Sequence, residues 1–322
     1  MIKEALSFTE KERDKQLQQL IEFVSIPSIS TLPEHKPDIA KAAQWLVTHL
    51  QSIGLQNVKI FPTELHPVVY AEWLGAPGQP TVLIYGHYDV QPVDPLDLWK
   101  SPPFKPEVRE QYLYARGASD DKGQTFAHLK AIEAYLKTTK KLPVNVKLLI
   151  EGEEEIGSPS LTQFVASNKN LLQADVSLVS DSHILSPMQP SIVYGLRGLA
   201  YLELEVTGPD HDLHSGSYGG AVHNPLNALA AIIAKLHNPD GSIAVTGFYD
   251  KVRALTADER KELARLPFNE KAFCQEAGIS ATWGEQAYTP TERLGARPTL
   301  DVNGIWGGLY CAPEIGHKNR PT

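Results

Sequence analysis

The sequence predicts an α/β fold, a mostly parallel sheet with helices, followed by a second and smaller α/β unit. Three observations carry that reading. Solid apolar runs alternate with segments of helical period through the first two hundred residues, as strands buried on both faces do. The pattern changes after Arg197, where apolar and polar residues alternate one by one. The chain has 322 residues, 42% of them hydrophobic, which is enough for a core in each of two units.

The opening segment reads as a helix. Thr9 to Glu12 fits a capping box, and Leu17, Leu20, Ile21 and Val24 recur at helical spacing before Pro27 stops them. A second amphipathic helix carries Ala43, Leu46, Val47 and Leu50, with Gly54 placed as its cap. Strands are predicted over 68–73 and 81–85, then a proline-rich loop over 91–106 and a helix over 122–137. Two more strands follow at 144–150 and 176–179. Beyond Arg197 the alternation of Leu199 to Val206 predicts a half-exposed strand. A loop rich in glycine and histidine then leads to an apolar helix around Leu226–Leu236.

Composition narrows the partners. A formal charge of −8 leaves no basic footprint for nucleic acid or an anionic membrane. The two cysteines, Cys274 and Cys311, make neither a disulfide framework nor a C-x-x-C pair. The N-terminal residues are charged throughout, and no stretch reaches the roughly 18 apolar residues of a membrane span. The expectation is a cytoplasmic protein.

The chemistry sits where strands end. The run 81–85 leads into Gly86-His87-Tyr88-Asp89, the run 144–150 into Glu151-Gly152-Glu153-Glu154-Glu155, and the run 176–179 into Ser180-Asp181-Ser182-His183. Ligands of open α/β sheets bind beyond the carboxyl ends of the strands. A fourth cluster, Arg116 to Gly123 with Asp120 and Asp121, precedes a helix and can reach the same edge. Singly, each cluster has an ordinary explanation: a structural hydrogen bond, a helix cap with Asp121 complementing the dipole, a solvated acidic turn. Together they place several carboxylates on one edge, and packed carboxylates repel unless a cation compensates. A histidine and carboxylate set without thiolates suits zinc, cobalt or manganese, and so many carboxylates suit two ions sharing a bridging ligand. The glutamate triplet has one carboxylate to spare as general base. Phosphate-loop, dinucleotide, serine-elbow and H-E-x-x-H motifs are missing from the sequence.

The ordered motifs GHYDVQP, RGASDDKG, EGEEEIGS, SDSH, YGLRG and DLHSGSYGG resemble the co-catalytic dinuclear-zinc peptidases and deacylases. That family includes aminoacylase, acetylornithine deacetylase, succinyl-diaminopimelate desuccinylase, glutamate carboxypeptidase and the carnosine and cytosolic non-specific dipeptidases. Gln91-Pro92, the later Trp99-x-Ser101-x-Pro103-Phe104 and Tyr218-Gly219-Gly220 point to the dipeptidase branch. The resemblance implies that His87 and Asp181 bind one metal, with Asp89 orienting the imidazole, and that Asp120 bridges two metals. It implies Glu155 as a ligand of the second metal, Glu154 as general base and His214 as oxyanion stabiliser contributed across a homodimer. The implied cofactors are two divalent ions, zinc above manganese or cobalt. The implied substrates are dipeptides, with N-acyl amino acids as the alternative.

The resemblance also implies a catalytic domain over 1–197, a lid or dimerisation domain over 198–308, and a tail over 309–322 outside the family pattern. The tail has neither helical nor strand period, and the expectation is that both domains stop short of closure there. A second histidine ligand, a substrate-gripping arginine and the closing strands then fall outside the sequence. His317 has no strand end beside it, and His183 and His223 receive no role. The functional expectation is metal-dependent hydrolysis of dipeptides, set against an N-acyl amino-acid deacylase or an inactive fragment.

Overall fold

The structure, a computed structural model, describes residues 2–182, 184 and 191–307. His183, Cys311, His317 and the tail over 309–322 lie outside the described residues. The chain forms two units, Met1–Ser191 and Ile192–Thr322.

The first unit begins with two helices, α1 (Ile2–Lys11) and α2 (Arg13–Val24). The capping box expected at Thr9 is not formed. Residues 2–11 are helical in their own right, so Thr9 lies inside α1 and its hydroxyl donates to the Ala5 carbonyl at 3.1 Å. Helix α3 (Lys36–Ile53) buries Ile39, Ala42, Ala43, Leu46, Leu50 and Ile53 along one stripe. It ends at Gly54, whose φ of +102° is the left-handed cap that glycine adopts without a Cβ clash.

Strands β1 (Gln56–Phe61), β2 (Val68–Trp73) and β3 (Thr81–His87) follow, then a short hairpin of β4 (Glu107–Arg109) and β5 (Tyr112–Tyr114). Helix α4 (Lys122–Thr138), β6 (Asn145–Glu151), the short helices α5 (Leu161–Ser167) and α6 (Lys169–Leu172), and β7 (Val176–Val179) complete the unit. The sheet order is β1-β2-β6-β3-β7. β3 pairs in parallel with both β6 and β7, while β2 is antiparallel to both β6 and β1, so β2 alone runs against the others.

Alternation along the strands builds two cores, one on each face. Val69, Ala71, Leu148 and Ile150 face Phe23, Leu46, Leu50, Phe126 and Leu129 from α2, α3 and α4. Val68, Tyr70 and Leu149 face Phe164 and Leu172 from α5 and α6. The expected strands and helices of this unit are thus present, arranged as helix layers on both faces of the sheet.

Two close approaches fix the loop in front of α4. A Cβ on Gly123 would stand 2.0 Å from the Ala118 carbonyl oxygen, which is main chain and cannot swing aside. Lys122 is fully buried and donates from Nζ to the carbonyls of Ile26 (2.7 Å) and Phe23 (3.3 Å), tying α4 to the end of α2. Burial pushes its ammonium down to about 7, against the opposing charges of Asp89 and Asp38.

The described part of the second unit is helical: α7 (Ser215–Tyr218), α8 (Pro225–Ala234), α9 (Ala257–Ala264), α10 (Glu270–Ala277) and α11 (Pro290–Ala296). Asn224 caps α8, the apolar helix expected there, and capping boxes start α9 (Thr256, Glu259) and α11 (Thr289, Glu292). Arg297 forks onto Glu285 at 2.6 and 3.0 Å and stacks over Tyr249 and Tyr288. The strand expected over Leu199–Val206 is not formed. These residues take no regular secondary structure, with Tyr201 81% and Leu202 92% exposed. An amphipathic strand gains its ladder only from a neighbouring edge, and among the described residues none pairs with it. No described helix is long and apolar enough to cross a membrane.

Two outcomes follow for stability. His49 is buried, stacked on Trp45 (4.8 Å) and tilted against Phe126 (5.7 Å), where burial, and then the charge of Lys130, push its imidazole down to about 3. An unfolded imidazole titrates near ~6.5, so the native state prefers the neutral ring. That preference is fully present above ~6.5 and is lost as pH falls toward 3, by about 1.4 kcal/mol per pH unit. His49→Phe removes the titration, and its melting temperature relative to wild type rises as pH is lowered from 7 to 4 in thermal melts. Gly123→Ala forces the Ala118 main chain outward and costs about 1–3 kcal/mol by denaturant titration.

Candidate metal centre

The sheet order brings the predicted clusters together. β3 lies between β6 and β7 with all three parallel, so their carboxyl ends are neighbours on one edge. His87 ends β3, Glu151 ends β6 and Asp181 follows β7. Asp120 comes from the loop before α4, whose first residue is Lys122.

His87 is fully buried, with Nε2 directed at two carboxylates: 3.1 Å to Asp120 Oδ1 and 3.7 Å to Asp181 Oδ2. One ligand atom from each of these three residues lies within 4.8 Å of the others, the geometry a single cation needs. On its other side, Nδ1 is 3.1 Å from the Asp89 carbonyl oxygen and 3.3 Å from Asp89 Oδ1. The carbonyl can only accept, so this contact assigns a ring proton to Nδ1, and Nε2, which faces Asp120 and Asp181, is the nitrogen a metal would take. Asp89 is itself fully buried, and its two carboxylate oxygens accept the main-chain N–H groups of Glu154 (3.3 Å) and Glu155 (3.1 Å).

The members of the glutamate triplet separate by what holds them. Glu153 accepts from Thr63 Oγ1, His66 N–H, Ser160 N–H and Ser160 Oγ at 2.7–3.0 Å. Burial pushes its carboxyl up, but those bonds outweigh it and hold the group below the usual range. Glu155 accepts from Gln91, at 3.2 Å from the main-chain N–H and 2.8 Å from the side-chain amide. Glu154 has neither kind of anchor among the described side-chain bonds. Burial pushes the carboxyls of Glu154, Glu155 and Asp181 upward. The neighbouring charges of Asp181, Glu155 and Asp89 add to this at Glu154, those of Asp120 and Asp89 at Glu155, and that of Asp120 at Asp181. Carboxylates raised by one another's charge are what a cation would relieve, so the donor set fits a divalent ion.

Among the described residues, the donors brought into one ligand group are His87, Asp120 and Asp181. Glu155, expected beside a second ion, is held by Gln91 and joins no such group. His214 lies in the second unit, exposed at the start of α7. Its Nδ1 accepts from the Gly216 N–H at 3.0 Å, which leaves the ring proton on Nε2 as an outward donor.

Two residues have work that the sequence did not reveal. Gln91 anchors Glu155, and its nearness to Asp89 in the chain was the available signal. Asp121, read as a complement to the helix dipole, makes no cap bond. It is buried and accepts from the Thr125 hydroxyl (2.8 Å) and the His87 N–H (3.1 Å), bracing His87 from behind. A Cβ on Gly86 would collide with both Thr125 and Asp121, so glycine precedes His87 for room.

Comparison with known proteins gives this geometry a context. Residues 83–302 match the model of peptidase family M20/M25/M40. The chain is 32% identical over 312 residues to a Cys-Gly metallodipeptidase of Schizosaccharomyces pombe, covering 93% of this chain and 66% of that protein. It is 31% identical to the human Beta-Ala-His dipeptidase, covering 96% of this chain and 64% of that one. The chain therefore spans just under two thirds of the length of these relatives. Among solved structures, an M20 family metallo-carboxypeptidase from Sulfolobus solfataricus aligns with a TM-score of 0.74 and 38% identity, covering 92% of this chain and 67% of that one. The di-peptidase Dug1p from Saccharomyces cerevisiae aligns with a TM-score of 0.76 and 25% identity, covering 97% and 68%. With a family match across most of its length, and a histidine and two aspartates converging at the strand ends, the chain belongs to peptidase family M20/M25/M40.

Proposed function

We propose that this chain carries the metal-dependent centre of a dipeptidase. The observation that carries the reading is the convergence of His87, Asp120 and Asp181 within 4.8 Å at the carboxyl edge of parallel strands. Divalent ions bound there supply a Lewis acid for the peptide carbonyl and lower the pKa of water. His87 and Asp181 hold one ion, zinc in preference to manganese or cobalt. Asp120, more exposed than His87, would be shared with a second ion that Glu155 would help to hold.

Asp89 keeps the His87 ring in its binding tautomer and also fixes the turn that presents Glu154. Glu154 is the general base: of the three triplet carboxylates it is the one without a hydrogen-bond anchor among the described residues. It removes a proton from the attacking water and returns it to the departing amine nitrogen. His214 donates from Nε2 to the oxyanion of the tetrahedral intermediate, across a homodimer. The substrates are dipeptides of the kind named for the relatives, Cys-Gly and β-Ala-His.

Hydrolysis of a panel of dipeptides and acetylated amino acids, with and without chelator, tests the reading. Chelator-sensitive release from dipeptides, exceeding that from acetylated amino acids, is the expected result. Preference for the acetylated compounds would assign a deacylase, and turnover indifferent to chelator would remove the metal. Glu154→Ala is expected to retain metal by elemental analysis while kcat falls by about 10²–10⁴-fold. Asp120→Ala is expected to lose metal.

A further inference from the structure

Helix α4 makes three hydrogen bonds to the segments on either side of the metal-facing aspartates. The Gln124 side-chain amide donates to the Ser119 carbonyl at 2.5 Å and to the Ser182 carbonyl at 3.4 Å. One turn further along the same face, His128 Nε2 is 2.7 Å from Ser180 Oγ. Ser119 immediately precedes Asp120, and Ser180 and Ser182 flank Asp181. A single amide thus ties together the two loops that deliver the two carboxylates. The Oε1 of Gln124 is buried and makes no bond among the described residues, so the side-chain hydrogen bonds of this amide all run from its nitrogen to the two loops.

The loop after β7 has need of such support. Among the described residues β7 is an edge strand paired only with β3, and Val176 and Val179 are more than half exposed, so sheet and core hold the loop weakly. Helix α4 is the opposite case, bound into the main core through Phe126, Leu129, Ile132 and Leu136. A rigid helix therefore provides the frame, and the loop takes its position from it.

We infer that Gln124 and His128 are positioning residues, which set the separation of Asp120 and Asp181 and so the affinity of the centre for its ion. The inference rests on the reading that His87, Asp120 and Asp181 bind a divalent cation. Residues that orient metal ligands from behind typically contribute about 10–100-fold in metal affinity.

Titration of the full chain with cobalt(II) chloride, by calorimetry and visible absorption, tests it without reference to activity. Gln124→Met and His128→Leu are expected to bind cobalt at least about tenfold more weakly than wild type, with unchanged melting temperatures in chelator. His128→Gln, which restores a polar atom near Nε2, is expected to recover most of the affinity. Ser180→Ala is expected to match His128→Leu, and the double variant to be no weaker than either alone. Ser180→Ala removes one hydroxyl and decides the matter if the helix variants fail to fold. Wild-type affinity in Gln124→Met and His128→Leu, or in Ser180→Ala, overturns the inference, as does a loss that follows stability in chelator and is not recovered by His128→Gln. Failure of wild type to bind cobalt at all removes the metal reading itself, and this inference with it.

Discussion

The buried carboxylate of Asp89 is the contact on which the rest of the centre depends. It faces the imidazole of His87 on one side and accepts two main-chain N–H groups, from Glu154 and Glu155, on the other. A carboxylate with no exposure is tolerable only when such partners satisfy it. The same group therefore links the end of β3 to the turn after β6. Ring tautomer, turn position and the placement of Glu154 are three results of one buried charge.

Around it stands an arrangement that favours a cation before any ion is considered. Aspartates and glutamates from four chain segments gather beside His87, and the neighbouring charges of Asp181, Glu155, Asp89 and Asp120 add to burial in pushing up the carboxyls of Glu154, Glu155 and Asp181. Glu153, fixed by four donors, is drawn out of that group and serves the scaffold. The triplet that looks uniform in the chain is three residues with three different environments.

Much of this was legible in the sequence. The strands read over 68–73, 81–85, 144–150 and 176–179 are mostly apolar runs, and three of the four functional clusters begin where a run stops. Topology was less visible: that β3 lies between β6 and β7 follows from long-range pairing that no local pattern encodes. β4 and β5, at three residues each, are too short to show a period. Gln91, Gln124 and Thr125 are neutral polar residues, and only their partners in space distinguish them. The reading failed where local pattern and tertiary context diverged. Thr9 and Glu12 have the right spacing for a cap inside a longer helical stretch, and Leu199–Val206 has strand alternation without a partner edge.

The three donors of the centre come from distant parts of the chain. His87 and Asp120 are 33 residues apart, and Asp181 lies far beyond both. An ion held by all three would therefore be a crosslink as well as a reagent. It closes long loops whose entropy the unfolded chain would otherwise keep, and its grip is inseparable from the folding of the first unit. On the proposed reading, occupancy of the centre would be a structural variable: limiting the metal would lower the share of this chain that stays folded.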